Sequence, residues 1–213
     1  MANHLISKGV IARKIVTLEA FDYLADKNKL SPTLLNRSIA IAGNLNPDKA
    51  GYPYSLIDLM PKDIQFELYG PGFNGESSNH ISYNGVADPD KLPELLNASF
   101  GLVWDEETIN GCSGTKGEYL RFDNPHKMSL YLAAGIPVLV WSQAAVAEFV
   151  KENKIGLTID SLEEIESLLA SLSQENYATI LANVKMVGED IRIGKYFGRA
   201  LNMLSEIVSP KLV

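Results

Sequence analysis

Residues 122–141 read FDNPHKMSLYLAAGIPVLVW. The first half of this segment predicts a helix, with Asp123 or Asn124 as a cap for its first turn and Pro125 at the first helical position. A Gly-Ile-Pro turn and a buried strand follow. The backbone N–H groups at the helix start and the ammonium of Lys127 would point the same way, which favours an anionic ligand. An ordinary capped helix with a surface lysine is the alternative interpretation, because such helix starts are common.

The composition of the chain is that of a globular protein with one well-packed core. Of its 213 residues, 46% are hydrophobic and 21% are charged, and the formal net charge is -7. An acidic chain of this kind is not expected to bind nucleic acid or an anionic membrane through bulk electrostatics. The single Cys112 cannot form an internal disulfide, and no stretch is typical of a signal peptide or a membrane span. We therefore expect a cytoplasmic protein, with peripheral attachment at the inner face of the membrane as the other location.

Apolar runs alternate with helical patterns along most of the chain. Strands are predicted at 37–43, 64–70, 80–86, 100–104, 137–141 and 156–159, and helices at 51–60, 89–98, 124–135 and 144–154. This β/α alternation predicts a Rossmann-like α/β fold, a doubly wound parallel sheet with helices on both faces. Residues 161–208 carry apolar side chains at helical spacing and are expected to form helices that pack on the sheet.

The first residues of the chain do not continue this alternation. Residues 3–24 are predicted to form the end of a helix, a turn at Gly9 and an apolar strand that has no partner nearby in sequence. We therefore assign residues 1–30 to a remnant of a preceding domain and a linker, and residues 31–213 to the main domain. An unpaired strand could also add to the sheet edge of a second copy, so a homodimer is expected as an alternative state.

Three short motifs are better explained without the functions they suggest. Residues 70–75, GPGFNG, match the dinucleotide pattern G-x-G-x-x-G, but a strand rather than a helix is predicted after them. Asp88 and Asp90 resemble paired aspartates that hold a metal on a nucleotide diphosphate, although Asp88, directly before a proline, is better explained as a helix cap. The GCSG segment around Ser113 lacks the spacing of a nucleophile elbow.

Loops at the carboxyl ends of strands are where open α/β sheets bind their ligands. Residues 42–49 follow the first strand and end at Lys49, so their N–H groups and this lysine could meet a phosphate. Aromatic residues that belong either to the core or to the rim of a site close three further strands, namely Tyr69, Tyr83 and Trp104. The long loop at 105–123 is predicted to be a mobile lid over a substrate, and a surface loop without a role is the alternative.

Several segments resemble the bacterial GT-B glycosyltransferases that include galactofuranosyltransferases and glucosyltransferases of cell-surface glycan and adhesin synthesis. The resemblance is carried by IAGNL at 41–45, by GLVWDEE at 101–107 and by the segment 124–165, and it extends over about residues 38–208. In such enzymes two Rossmann-like domains face each other, the C-terminal one binding the nucleotide sugar and the N-terminal one the acceptor. The chain is similar to the C-terminal half, and residues 1–22 resemble the end of the missing N-terminal domain.

The resemblance implies a site for a UDP-sugar. Lys127 would be the main phosphate ligand and Lys49 a second cationic contact, while Tyr69 and Gly70 would border the nucleoside. Asp105, together with Glu106, would lie near the sugar. The implied substrate-binding residues are Gly43, Asn44, Lys49, Tyr69, Gly70, Tyr83, Trp104, Asp105, Asn124, Pro125, His126 and Lys127.

The implied reaction transfers a hexose from a UDP-sugar to a glycan hydroxyl in cell-surface polysaccharide or glycoprotein synthesis, as in β-1,6-galactofuranosyltransferases. Lys127 and the helix start can stabilise the leaving diphosphate, so no metal and no other cofactor is expected. The resemblance places the general base in the N-terminal acceptor domain, so this half alone should bind donor weakly and transfer little. The main alternative is a non-catalytic nucleotide-binding or regulatory module that acts through a partner protein. A sugar-nucleotide epimerase or synthetase is a further alternative, which the failed dinucleotide motif disfavours.

Overall fold

The computed structural model describes residues 2–12, 15–26, 34–112, 114 and 117–208, apart from the side chains of Asn3 and His4. The predicted domain boundary between residues 30 and 31 lies outside these ranges, and so does Ser113 of the GCSG motif.

One parallel sheet organises the chain. Its strands are β1 (Ser38–Ala42), β2 (Gln65–Tyr69), β3 (Ile81–Tyr83), β4 (Phe100–Val103), β5 (Val138–Trp141) and β6 (Gly156–Ile159). Six strands are hydrogen-bonded in the order β3-β2-β1-β4-β5-β6, and every pairing is parallel. The order reverses between β1 and β4, so the loops that leave these two strands turn to opposite faces of the sheet and leave a crevice at its carboxyl edge. The predicted doubly wound α/β fold is confirmed.

Helices cover both faces of this sheet. They are α1 (Ala2–Ser7), α2 (Tyr52–Leu59), α3 (Leu92–Leu95), α4 (His126–Ala133), α5 (Ala147–Asn153), α6 (Ile165–Ser171), α7 (Gln174–Arg192) and α8 (Lys195–Val208). The helical character predicted for residues 161–208 is confirmed. None of the helices in the described residues is long and apolar enough to cross a membrane.

Helix α4 is fixed against the centre of the sheet by one tyrosine. The ring of Tyr131 lies so close to β4 that a Cβ atom added at Gly101 would be 2.1 Å from it. The hydroxyl oxygen of Tyr131 accepts a hydrogen bond of 2.8 Å from the backbone N–H of Ala42, the last residue of β1. Tyr131 is fully buried. The tyrosine therefore sets the position of α4 relative to both strands that flank the crevice.

The apolar strand predicted within residues 3–24 is wrong for the part of the chain that the structure describes. Helix α1 and the turn at Gly9 are present, with a φ of 90° at the glycine. Residues 15–26 contain no strand and run as irregular backbone. A homodimer formed by pairing of this strand therefore has no basis in residues 15–26, and any other homodimer stays a prediction.

Residues 15–26 make contacts with helices in place of the predicted strand. The carboxylate of Asp22 accepts hydrogen bonds from the backbone N–H groups of Tyr196 and Phe197 at the start of α8, at 3.1 and 2.6 Å. The backbone N–H of Tyr23 donates to the carbonyl of Ile191 in α7 at 3.2 Å. Apolar side chains of this segment, such as Leu18 and Tyr23, pack against the core of the domain, and a local sequence pattern does not distinguish such packing from a strand.

The segments 70–75 and 88–90 both form turns, and the helix cap predicted at Asp88 is wrong. No helix follows residues 70–75, and β3 comes next, so the dinucleotide interpretation fails as expected. The carboxylate of Asp88 accepts a 2.9 Å hydrogen bond from the backbone N–H of Asp90. Helix α3 begins only at Leu92, later than predicted, and the residue before it makes no side-chain cap. Asp88 therefore closes a turn ahead of the helix and does not cap the helix itself.

Two helical glycines provide a matched test of this packing. A Cβ atom at Gly188 in α7 would lie 2.2 Å from the carbonyl oxygen of Leu132 in α4, whereas one at Gly198 in α8 would meet nothing within 4 Å. We expect Gly188→Ala to lower the free energy of unfolding by about 1 to 3 kcal/mol through overpacking. Gly198→Ala should raise it by about 0.5 to 1 kcal/mol through helix propensity. Urea denaturation followed by circular dichroism measures both, and equal effects of the two changes would contradict the close contact of α7 with α4.

Candidate functional site

The start of α4 lies at the carboxyl edge of the sheet but differs in detail from the prediction. The helix begins at His126, and Pro125 is the residue before it rather than the first helical residue. No side chain caps the first turn. The side-chain amide of Asn124 instead donates a 3.1 Å hydrogen bond to the carbonyl of Leu18. The prediction that Asp123 or Asn124 caps the helix is therefore wrong, because Asn124 holds the N-terminal segment.

Lys127 lies in the first turn of α4 and reaches the end of β4. Its ammonium donates hydrogen bonds to the carbonyl oxygen of Trp104 and to a carboxylate oxygen of Asp105, both at 2.8 Å. The side chain is 18% exposed. An ammonium has three N–H donors, and these two contacts use two of them. The cation is thus held at the crevice between β1 and β4, with donor capacity remaining for a ligand.

Two buried groups with titratable protons, Cys112 and Tyr52, interact with this ion pair. Burial raises the pKa of Cys112 to about 12, and the nearby carboxylates of Glu106 and Asp105 raise it further, while a backbone hydrogen bond at Asp105 and the charge of Lys127 oppose the shift. Burial also raises the pKa of Tyr52 well above its usual value, with smaller contributions from Tyr131, Asp105 and Cys112. These groups therefore stay neutral at physiological pH, and Lys127 and Asp105 carry the charges at this point of the crevice.

Glu106 organises the loop after β4. One carboxylate oxygen accepts a 2.8 Å hydrogen bond from the N–H of Glu107, and the other accepts from Gly114 at 2.7 Å and Gly117 at 3.2 Å. The residue is only 6% exposed. Glu106 therefore binds the backbone of its own loop, and its expected position near the sugar stays a prediction. The lid predicted at 105–123 stays a prediction, because residues 113, 115 and 116 lie outside the described part of the loop.

Two glycines bring the ends of β1 and β2 together beside the crevice. Gly43 has a φ of 146° and Gly70 a φ of 130°. A Cβ atom at Gly70 would lie 1.8 Å from the carbonyl oxygen of Gly43, so the two backbones are in direct contact. The side-chain oxygen of Asn44 accepts a 3.0 Å hydrogen bond from the N–H of Asn46 and tightens the next turn. Gly43, Asn44 and Lys49 are all exposed along this loop.

The predicted aromatic residues fall into different environments. Trp104 is fully buried, and its indole N–H donates to the carbonyl of Thr108 at 3.1 Å. Tyr69 is also buried, and its hydroxyl donates to the carbonyl of Leu95 at 3.1 Å. These two side chains belong to the core, so only their backbone atoms can face a ligand. Tyr83 is 36% exposed, and its hydroxyl donates to the carbonyl of Gly70 at 3.0 Å. It is the aromatic side chain of this set that lies at the rim.

One contact at the start of α4 could not be found from sequence patterns. The ring of Phe21 stacks on His126, with 4.4 Å between ring centroids and 7° between ring planes. The two residues are far apart in sequence, and neither periodicity nor a motif relates them.

Among the described residues, no group of three or more His, Cys, Asp and Glu side chains is placed to hold a metal ion.

Comparison with known proteins places this arrangement in a family. Residues 39–204 match the family described as Glucosyltransferase 3-like, C-terminal domain. The chain belongs to this family. The resemblance seen in the sequence is therefore confirmed.

Relatives of the chain are glycosyltransferases by name. The chain is 35% identical over 208 residues to beta-1,6-galactofuranosyltransferase WbbI of Escherichia coli K12, covering 95% of this chain and 59% of that protein. It is 27% identical over 213 residues to Glucosyltransferase 3 of Streptococcus gordonii, covering 98% of this chain and 60% of that protein. The chain thus spans about 60% of the length of these curated relatives.

Solved glycosyltransferases share the fold at low sequence identity. HepE of Anabaena, solved in complex with UDP-glucose, superposes with a TM-score of 0.58 at 14% identity, covering 98% of this chain and 60% of that one. The lipopolysaccharide outer core galactosyltransferase WaaB gives a TM-score of 0.58 at 12% identity, covering 99% of this chain and 60% of that one. At these identities the likeness shows the fold alone, which is the Rossmann-like domain expected of a GT-B protein.

The buried thiol near the ion pair can be tested directly. Because Cys112 is fully buried and its pKa is raised to about 12, the thiolate that reacts with alkylating reagents should be scarce in the folded chain. We expect iodoacetamide at pH 8 to label the folded protein about a hundredfold more slowly, or less, than the urea-unfolded protein. Mass spectrometry of timed samples measures both rates. Comparable rates in the two states would contradict the burial of Cys112.

Proposed function

We propose that this chain is the donor-binding half of a glycosyltransferase that uses a UDP-sugar. The observation that carries the proposal is the position of Lys127, in the first turn of α4 and at the crevice between β1 and β4. Helix starts favour anions because their first N–H groups point outward and carry a partial positive charge. A lysine at the same place adds a full charge. The family membership of the chain supports a nucleotide sugar as the anionic ligand.

The leaving group of the proposed reaction explains what these residues do. When the bond between the sugar and the diphosphate breaks, negative charge develops on the diphosphate oxygens. The ammonium of Lys127 and the start of α4 stabilise that charge, so the proposed mechanism needs no metal ion. The exposed loop with Gly43, Asn44 and Lys49 borders the diphosphate, and Asp105 lies on the side of the sugar.

The nucleoside end of the donor is assigned to the neighbouring strands. The exposed ring of Tyr83 and the backbone around Gly70 offer an apolar face and polar groups at the carboxyl ends of β2 and β3. Such a combination suits a planar base such as uracil. Identity with the galactofuranosyltransferase WbbI exceeds that with Glucosyltransferase 3, which favours galactofuranose as the transferred hexose and a β-1,6 linkage to a glycan.

A second domain is part of the proposal. We assign residues 1–30 to the end and linker of an N-terminal acceptor domain and residues 31–213 to the donor domain. This division is in keeping with the relatives, of whose length the chain spans about 60%.

Helix α8 leaves one apolar stripe exposed, at Phe197, Leu201, Leu204, Ile207 and Val208. Their spacing puts these side chains on one side of the helix, and the acceptor domain would bury them. The general base of the transfer belongs to that domain, so the present chain binds donor and does not transfer. The free Cys112 fits a reducing cytoplasmic location.

Lys127→Ala is the first test of the proposed function. Loss of a charge-assisted phosphate contact should weaken UDP binding by about 1.5 to 3 kcal/mol, roughly a factor of ten to a hundred in Kd. Isothermal titration calorimetry of UDP with the wild-type and variant chains measures this change, with NADH as a control ligand that should not bind.

Lys195→Ala is the matched control for this experiment. Lys195 is also ion-paired, with Asp190 at 2.6 Å, but it lies at the start of α8 and away from the crevice. Its loss should leave UDP binding unchanged. UDP binding that ignores both substitutions, or tight binding of NADH, would refute the placement of the donor site.

Asp105→Asn tests the ion pair itself. The carboxylate of Asp105 neutralises Lys127 at 2.8 Å and would repel an incoming diphosphate. Asparagine keeps a hydrogen-bond acceptor but removes the charge, so we expect the Kd for UDP to fall by about threefold to tenfold, and the gain to shrink at high salt. Calorimetry at low and high sodium chloride measures both effects. Weaker binding in the variant would show that Asp105 orients Lys127 for the ligand and does not compete with it.

A further inference from the structure

A cavity of about 970 Å³ lies along α5, next to the residues that precede α4. Residues 15–19 and Phe21 line it together with two residues of α1, Ala2 and Leu5. Tyr119, residues 122–124 and α5 also line it. Lys127 does not line it, but Asp123 and Asn124, just before α4, do. The cavity is therefore a neighbour of the proposed diphosphate position and is distinct from it.

Aromatic side chains give the cavity an apolar surface that faces solvent. Tyr119 is 60% exposed, and Phe122 is exposed as well. Phe21 and Phe149 line the cavity from the opposite segment and from α5. Exposed aromatic rings suit ligands that combine an apolar face with polar edges, since a ring buries the apolar face and leaves the edges free for hydrogen bonds.

Charge on the cavity wall selects against anions. Carboxylates line it at Glu19, Asp123, Glu148 and Glu152, while the lining residues that the structure describes include no lysine and no arginine. Arg199 lies 3.3 Å from the carboxylate of Glu19, so the negative charge of the wall comes mainly from the other three carboxylates. These carboxylates would repel a phosphate or a sulfate, and they accept hydrogen bonds from hydroxyl groups. Burial raises the pKa of Asp123 and the nearby Asp105 adds to the shift, while a backbone hydrogen bond, His126 and Lys127 oppose it. The wall thus offers acceptors for a ligand rich in hydroxyls.

We propose that this cavity binds a neutral carbohydrate, the glycan that accepts the transferred sugar. The inference rests on the proposed function, because an acceptor hydroxyl has to lie beside the donor. Phe21 lines the cavity and stacks on His126, the residue before Lys127, so the cavity borders the start of α4. Part of the acceptor site accordingly belongs to this chain and is not confined to the N-terminal acceptor domain.

The experiment titrates the isotope-labelled chain with neutral disaccharides (maltose, cellobiose, lactose and gentiobiose) and with a sulfated heparin disaccharide, followed by amide chemical shifts. UDP is titrated separately. At least one neutral disaccharide should bind and shift the amides of segment 119–124, and the sulfated disaccharide should not bind. Tyr119→Ala should weaken neutral disaccharide binding by about fivefold or more, and Tyr119→Phe should retain it, because the ring supplies the contact.

Phe197→Ala is the matched control, since this aromatic residue is 57% exposed on α8 and does not line the cavity. It should leave disaccharide binding unchanged. If UDP binds but no disaccharide does, or if binding ignores Tyr119, the inference is wrong while the proposed function stands. If disaccharides bind as expected and UDP does not, the donor assignment fails while the carbohydrate site is supported. Binding of the sulfated disaccharide at the cavity would refute the proposed preference for neutral ligands.

Discussion

The contact between Tyr131, Gly101 and Ala42 is the constraint on which the candidate site depends. Only a glycine at position 101 lets the tyrosine ring lie against β4, because any Cβ atom there would occupy the ring itself. The hydroxyl then satisfies the backbone N–H at the end of β1, which would otherwise be buried without a partner. A single side chain thus joins α4 to the two strands between which the sheet order reverses. The position of the α4 start follows from this attachment.

Charge at the crevice is balanced within a few residues. Lys127 and Asp105 form the ion pair. Burial keeps the nearby thiol of Cys112 and phenol of Tyr52 protonated. The carboxylate of Glu106 accepts hydrogen bonds from backbone N–H groups. A bound diphosphate would add negative charge at this point, and the ammonium of Lys127 would attract it. The same arrangement explains why two consecutive carboxylates, Asp105 and Glu106, have different roles: one faces the cation, and the other faces its own loop.

The sheet could be predicted because its strands are buried on both faces. Strands such as β1 and β4 are continuous apolar runs bounded by turn residues, which is the pattern of a parallel sheet under two helical layers. The sequence also predicts the position of Lys127 at a helix start, and α4 confirms it. Residues 15–26 misled the pattern, because their apolar side chains pack against the core of the domain and their polar groups bond to α7 and α8. Sequence spacing cannot distinguish that packing from a strand. The environments of Trp104 and Glu106 could not be predicted from the sequence either. Their hydrogen-bond partners, at Thr108 and at Gly114 and Gly117, depend on how the loop folds.

The irregular segment at 15–26 has a mechanical consequence. It is bonded to Asn124 before α4, to Ile191 in α7, to the first turn of α8 and, through the hydroxyl of Tyr23, to the carbonyl of Pro89 before α3. These attachments lie on different elements, so the segment is held to the domain at several separate points. A rotation of this segment against the domain would have to break several of these hydrogen bonds, including the two that Asp22 accepts at the start of α8.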